Sequence, residues 1–302
     1  MKKVLFATTA LVASAGIAAA EVKLSGWGEM GIIGGDNIET QFHGDIDVKF
    51  SLSGETDNGL TFGATIDLDE VGSGISHTGG PQSIWIGGSW GKLTLGDTDG
   101  AFDWAMKEAI IGSAIIDNHE HAGYNGNAGL DGLYDKQVLR YDNSFNGFGV
   151  AVSAMLDDTG SGVGATPAVP IGPFGDAVLG LGVKYSTDLG GAALGVGVGY
   201  QTDSITDIMG ISVDVKTDGG ISAILNYSDL DNGDSHTGVA VGYSMDALTI
   251  GVNWGENDVG GVATAGTGLA VNYKLSKGVK ILFGYGSDDI EDTYSLGLSM
   301  AF

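Results

Sequence analysis

Thr293-Tyr294-Ser295-Leu296-Gly297-Leu298-Ser299-Met300-Ala301-Phe302 closes the chain. Tyr294, Leu296, Leu298, Met300 and Phe302 share one face; Thr293, Ser295, Gly297, Ser299 and Ala301 share the other. A period of two marks a strand whose faces meet different surroundings. Working back from the end, the period persists. Leu269, Val271, Tyr273 and Leu275 alternate with Ala270, Asn272 and Lys274. Leu248, Ile250, Val252 and Trp254 alternate with Thr249, Gly251, Asn253 and Gly255, and Val239, Val241, Tyr243 and Met245 with Ala240, Gly242, Ser244 and Asp246. Near the start, Phe42, Ile46, Val48, Phe50 and Leu52 alternate with His43, Asp45, Asp47, Lys49, Ser51 and Ser53.

The connections alternate as well. Asn58-Gly59, Trp90-Gly91, Asn146-Gly147, Gly190-Gly191, Gly219-Gly220, Asp246-Ala247 and Lys277-Gly278 are short, and most have hairpin-turn composition, with Gly or Asn to take positive φ. Between them fall polar connections at 33–38, 70–80, 97–133, 157–174, 202–207, 229–235, 257–262 and 286–291. Seven short and eight long connections join sixteen strands and put both chain ends on the short-turn side. An even count lets the first and last strands pair and removes the edges. The pattern predicts an all-β fold: a sixteen-stranded antiparallel transmembrane β-barrel with short turns on one rim and longer loops on the other.

Charge decides which face looks outward. Lys23, Lys49, Lys92, Arg140, Lys184, Lys216, Lys274 and Lys280 fall on the polar face, with Glu29, Asp45, Asp47, Asp67 and Asp214. A soluble barrel would fill its interior with the apolar face, but a cylinder of sixteen strands is too wide to fill with side chains and leaves an aqueous channel. The apolar face is therefore assigned to lipid and the charged face to water. The glycines, 54 of 302 residues, are expected on a lumenal wall with no close-packed core behind it. Trp90, Tyr185, Tyr200, Tyr227, Tyr243, Trp254, Tyr273, Tyr285 and Phe302 lie on the apolar face, several near turns, where interfacial girdles need them and where β propensity alone also puts them.

Residues 1–20 read as a secretory signal: Met1-Lys2-Lys3, an apolar run to Ile17, and an Ala18-Ala19-Ala20 exit. Residues 21–302 form the barrel domain. No run after Ala20 offers the ~18 apolar residues of a membrane helix, so an exported chain that spans a bilayer does so as a closed barrel. With 13 basic and 38 acidic residues the chain carries −25, and −27 without Lys2 and Lys3. Such a chain does not bind nucleic acid, which needs Lys and Arg to displace counterions. The lack of cysteine excludes disulfides, thiolate metal sites and cysteine nucleophiles.

The segment 97–133 is far longer than the others, and loops of that length are usually functional or disordered. Phe102, Ala105, Met106, Ala109 and Ile110 keep helical spacing, with Asp99 available as a cap and Asp103 and Lys107 as an i, i+4 pair. An apolar stripe on a loop needs a surface, and the inside of the barrel is the one at hand. Folded inward, the loop would hold Asp97, Asp99, Asp103, Glu108, Asp117 and Glu120 opposite wall bases Lys23, Lys49, Lys92, Arg140 and Lys184. That is a transverse field across a constriction, which sorts solutes by size and charge.

Several stretches resemble the purple-bacterial, or alpha-proteobacterial, general porins of Gram-negative outer membranes. They are Glu21-Val22-Lys23-Leu24-Ser25-Gly26, the hairpin Ser53-Gly54-Glu55-Thr56-Asp57-Asn58-Gly59-Leu60-Thr61-Phe62-Gly63-Ala64, Gly91-Lys92-Leu93-Thr94-Leu95-Gly96-Asp97, and the terminal Phe302. The resemblance implies a homotrimer of sixteen-stranded barrels in outer-membrane lipid and lipopolysaccharide, passing small hydrophilic solutes and ions. It also implies a third loop in the lumen, acidic, facing a basic wall. This chain departs from that pattern in having one arginine, Arg140. Gly26 and Gly28, beside Leu24 on the outward face, would let barrels approach closely.

Other chemistry is thinner. His119-Glu120-His121 has metal-ligand residue types in one tripeptide, but packed or solvated loop histidines explain it as well. Asp229-Leu230-Asp231-Asn232-Gly233-Asp234 is half of a calcium loop without the twelve-residue pattern, so no cofactor is expected beyond loosely bound Ca2+. No G-x-S-x-G elbow is present, and an enzyme is not expected. Two alternatives from other classes are a secreted calcium-binding β-solenoid or adhesin, which would show nonapeptide repeats, and an outer-membrane barrel enzyme, which would need a catalytic group near the rim.

Overall fold

The computed structural model describes residues 21–68, 82–131, 137–156 and 177–302. The signal segment and the 70–80 and 157–174 connections lie outside the described residues. The sixteen strands are β1 (Glu21–Gly35), β2 (Gln41–Glu55), β3 (Thr61–Asp67), β4 (Gln82–Gly88), β5 (Gly91–Gly96), β6 (Val138–Phe145), β7 (Phe148–Met155) and β8 (Val178–Asp188), then β9 (Ala192–Thr202), β10 (Asp207–Thr217), β11 (Ile221–Leu230), β12 (Ser235–Met245), β13 (Leu248–Val259), β14 (Val262–Ser276), β15 (Val279–Asp288) and β16 (Asp292–Ala301). Each pairs antiparallel with its neighbours in sequence, and β1 pairs β16, so the sheet is closed. The closing seam runs from Trp27↔Ala301 to Gly35↔Thr293. The terminal backbone is tied in by reciprocal bonds between Gly26 and Phe302.

Bulky and small residues sit where the charge argument puts them. On β13, Val252 is 51% exposed while its neighbour Asn253 is 4%. Leu225, Val239, Val241, Leu181 and Leu296 are likewise exposed, whereas Ala151, Ala240 and Ala270 are buried. Aromatic side chains gather at both ends of the apolar face. Trp90 stacks on Tyr141 and Phe148 on Phe145, with Tyr185 tilted against Phe148, at the turns on the side of the chain ends. Tyr227 and Tyr243, near opposite ends of the β11–β12 hairpin, lie six residues apart by register, about 20 Å of strand.

Turn chemistry follows the expected sites. Asn146 and Asp246 take positive φ of 50° and 51° in two-residue turns closed by glycine or alanine. Three expected connections need correction: the β4–β5 turn is Ser89-Trp90, with Gly91 already in β5, and 286–291 shrinks to 289–291 between β15 and β16. The 257–262 connection is not long: β13 and β14 pair out to Val259↔Val262, leaving only Gly260-Gly261 as a two-residue turn. The polar residues there belong to strands that project past the apolar band.

Candidate functional site

The chain leaves the wall after β5 and enters the lumen. Helix α1 (Ala101–Ala105) packs against β7, β8 and β9. It is one turn, starting at Gly100 with no side-chain cap. The longer helix through Ile110, capped by Asp99, does not form, and no ion pair joins Asp103 to Lys107. From Met106 the backbone is extended and travels round the inside wall. Phe102 and Met106 bury against Ile208 of β10, and Ala109 against Ile224 and Ala240 of β11 and β12. A 3₁₀ turn (Ile115–Asp117) reaches β15, β16 and β1, and the chain then doubles back.

Wall side chains bind this backbone at each stage. Ser153 accepts from Ala101 N–H and Ser212 from Lys107 N–H. Asn226 donates to the Lys107 carbonyl, and Asn272 accepts from Ser113 N–H and donates to its carbonyl. On the way back Asn253 donates to the His119 carbonyl, Asn257 to those of Ala122 and Tyr124, and Gln201 accepts from Leu130 N–H. Without these amides and hydroxyls the carbonyls and N–H groups of an extended loop would be buried unpaired, at about 1–3 kcal/mol each.

The lumenal glycines are the reverse of what was expected. They do not face an open lumen; the loop lies directly on them. A Cβ at Gly199 would meet the Phe102 ring at 2.6 Å, at Gly242 the Ile111 side chain at 2.5 Å, and at Gly238 the Ala109 Cβ at 2.8 Å. At Gly182, Gly251 and Gly268 it would overlap carbonyl oxygens of Ala101, Ile111 and His119. The wall is hydrogen-bearing where the loop passes, so loop backbone and strand backbone touch.

The predicted charged residues separate into two groups. Arg140 is not a pore-facing base: it is 5% exposed, donates to the Asp99 carbonyl at 2.5 Å and pairs with Asp142 at 3.2 Å, which clamps the root of the loop. Lys184 is also under the loop, 3.5 Å from the Trp104 ring centroid and donating to the Trp104 carbonyl. Both fell on the correct face, but α1 covers that sector of wall. Lys49 stays half exposed and pairs with Asp67 at 2.6 Å. Lys23 is exposed, and Lys92 stands across from Asp142 in register. Opposite the tip of the loop the wall is acidic: Glu29 accepts from Ile116 N–H and lies in the field of Asp117, Asp45 and Asp47. The wall bases expected to oppose the loop are thus mostly spent on anchoring or paired.

The loop acids are crowded. Asp97, Asp99 and Asp117 are exposed; Asp103, Glu108 and Glu120 are partly buried. Burial, then the carboxylates of Asp99, Glu108 and Asp131, push Asp103 up to about 7. Burial, then Asp117 and Glu108, push Glu120 up to about 7. Glu108 accepts from the Tyr124 hydroxyl at 2.6 Å. Asp131, missed in the sequence, accepts from Gly100 N–H at 2.7 Å and from Gln201, closing the loop at its root. Nothing in local spacing marks it, because its partners come from elsewhere in the chain.

His119 is buried and His121 bonds Asn253 at 3.1 Å; burial lowers both imidazole pKa values, so both are neutral near pH 7. Among the described residues no three His, Asp or Glu groups converge on a metal position. In 229–234 the carboxylates serve the turns: Asp234 accepts from Gly260 N–H and Asp231 from Asp207 N–H.

A closed barrel of this width, apolar outside, polar inside and narrowed by its own loop, defines a transmembrane pore-type β-barrel. The family model for Gram-negative porins matches residues 7–293, and the chain belongs to that family, whose place is the outer membrane. A porin of Rhodobacter capsulatus is 32% identical over 176 residues, 54% of this chain and 56% of that protein, so the alignment spans little more than half the length of that relative. Among solved structures, a porin refined at 1.8 Å superposes with a TM-score of 0.73 at 23% identity, covering 93% of this chain and all of that one. A mutant of Rh. blastica porin gives 0.66 at 18%, again over 93% of this chain.

Proposed function

We propose that the protein is a passive channel for small hydrophilic solutes and ions across the outer membrane, with no catalytic step and no resident cofactor. The observation that carries this is the division of the lumen. The loop's helical turns pack on β7, β8, β9, β15, β16 and β1, and on the lumenal face of β2 Asp45 and Lys49 stay exposed to water, Lys49 beside its ion pair. Solutes pass between the loop edge and that wall.

The acids Asp99, Asp103, Glu108, Asp117 and Glu120 on one side, with Glu29, Asp45 and Asp47 on the wall, make the passage prefer cations. Lys23, Lys49 and Lys92 moderate the preference. Salt erodes it, since the Debye length falls from ~10 Å at 0.1 M to ~3 Å at 1 M.

The working unit is a homotrimer. β5 has six residues, fewer than the ~9–11 of a strand that crosses lipid. Beside it an outward groove of about 590 Å³ is lined by Leu52, Phe62, Ile84, Ile86, Leu95 and Leu139. A thin, apolar sector of wall is suited to protein rather than lipid. At Gly26 and Gly28 the outer face is covered by the Phe302 ring, within 3.6 Å of where their Cβ atoms would lie, so a neighbouring barrel would meet that ring and not bare glycine.

The test is conductance across a planar bilayer, with reversal potential measured under a salt gradient. Ohmic, cation-preferring channels are expected, and neutralising Asp99, Asp103, Glu108 and Glu120 together lowers the preference. Purified, folded protein that conducts no ions overturns the reading.

A further inference from the structure

Trp27 stands on the lumenal face of β1, in line with Lys23, Ser25 and Glu29. A tryptophan among charged groups in a water-filled passage is out of place for packing, and this one keeps 45% of its surface exposed. It borders a cavity of about 260 Å³ lined by Ser25, Trp27, Asp47, Lys49, Asp67 and Ala301. Asp47 is its direct cross-strand partner, and the next pair along the same face is Glu29↔Asp45. Lys49 pairs with Asp67 at 2.6 Å, so the cavity's charged lining is two carboxylates, Asp47 and Asp67, against one ammonium, with Glu29 and Asp45 one lumenal position further along. Lys23 is two lumenal positions further toward the chain start.

We infer that this cavity is a binding station for small organic cations, a protonated amine or quaternary ammonium whose alkyl groups lie on the Trp27 ring while its charge faces the Asp47 carboxylate. The chemistry favours that class over others. An indole face attracts a cation through its quadrupole and prefers one that is weakly hydrated. A bare alkali ion gains less, because it keeps its water. An anion meets two carboxylates against a single ammonium that is already paired. The station lies just past the loop tip, where the Ile116 N–H binds Glu29, so every solute that clears the constriction passes it. This rests on the channel reading above, and adds a solute class to it.

The test is single-channel recording in KCl with choline added, and sorbitol as a neutral polyol of similar bulk. In the wild type, choline should reduce the potassium current in a concentration-dependent way and sorbitol should not. For Trp27→Ala the half-blocking concentration should rise roughly two- to fivefold, the range of one exposed cation–π contact; Trp27→Phe should show a smaller rise. Asp47→Asn gives an independent arm and should raise it as well, which keeps the test intact if Trp27→Ala fails to form channels. Equal block in wild type and Asp47→Asn, or in wild type and Trp27→Ala, overturns the proposal. Trp27-dependent block by sorbitol without block by choline also overturns it, in favour of a polyol platform. Absence of any channel in wild-type protein would overturn the channel reading itself and is distinguishable from every other result.

Discussion

Replacing Gly251 and Gly268 by alanine tests whether the loop is seated on the wall. Both glycines have ordinary backbone angles, so strain in φ does not enter. An added Cβ at either falls about 1 Å inside the 3.0 Å below which real Cβ atoms essentially never approach, against the carbonyls of Ile111 and His119. The obstacle is backbone on both sides, so no rotamer change relieves it. Either the loop retreats into the lumen by about 1 Å at each seat, or the wall bends outward. Overpacking of this kind costs about 1–3 kcal/mol per site, and withdrawal also stretches the Asn253 bond to the His119 carbonyl, now 3.1 Å. The double variant should show lower single-channel conductance and earlier thermal unfolding in detergent than wild type. Gly44→Ala is the control, because its nearest atom is the Glu29 carbonyl at 3.8 Å; it should leave both measurements unchanged. A double variant with wild-type conductance and wild-type thermal stability would refute the seating.

Val252→Arg puts a cation on the lipid face and should destabilise by roughly 2–4 kcal/mol near the midplane, read by urea titration in lipid vesicles; Ser51→Arg, on the lumenal face, should cost less than half as much. Asn253→Arg, which face alternation alone would rate as cheap, should instead be severe, since Asn253 is 4% exposed and holds the returning loop. Asp103 and Glu120 have pKa values raised to about 7, so they lose their charge as pH falls through 7 rather than through 4. Cation preference measured by reversal potential should therefore drop between pH 8 and pH 6, and Asp103→Asn with Glu120→Gln should flatten that step. Mass spectrometry of the mature chain should place its start at Glu21, and a retained Met1 in purified outer membrane would refute cleavage after Ala20.

Period-two alternation carries strand number, register class and face, because each strand presents one side to apolar surroundings and the other to the lumen wherever it crosses the apolar band. Trp254 out and Asn253 in follow directly from it. It carries less about the inside. Arg140 and Lys184 sit on the lumenal face as read, yet which lumenal residues see water depends on where the loop crosses, and that is set by contacts between residues 40 to 160 positions apart, such as Arg140 with Asp99 and Asn272 with Ser113. The helical spacing of Phe102, Ala105, Met106 and Ala109 also misleads. Those apolar residues are spaced by the glycine seats on successive strands beyond Ala105, not by a helical turn.

The tip of the inner loop lies across the seam that closes the cylinder. The Ile115 side chain fills the space above Gly31 of β1 and Gly297 of β16, 2.7 and 2.8 Å from where their Cβ atoms would be. Every other strand pair joins neighbours in sequence, so each can zip as a hairpin; β1 and β16 must find each other across the whole chain. The loop's last seat exists only once they have. Docking of Ile115 therefore depends on closure: a sheet in which β1 and β16 are unpaired or out of register lacks the paired glycines that form its far anchor. Assembly would be checked from within, by the same segment that later narrows the passage.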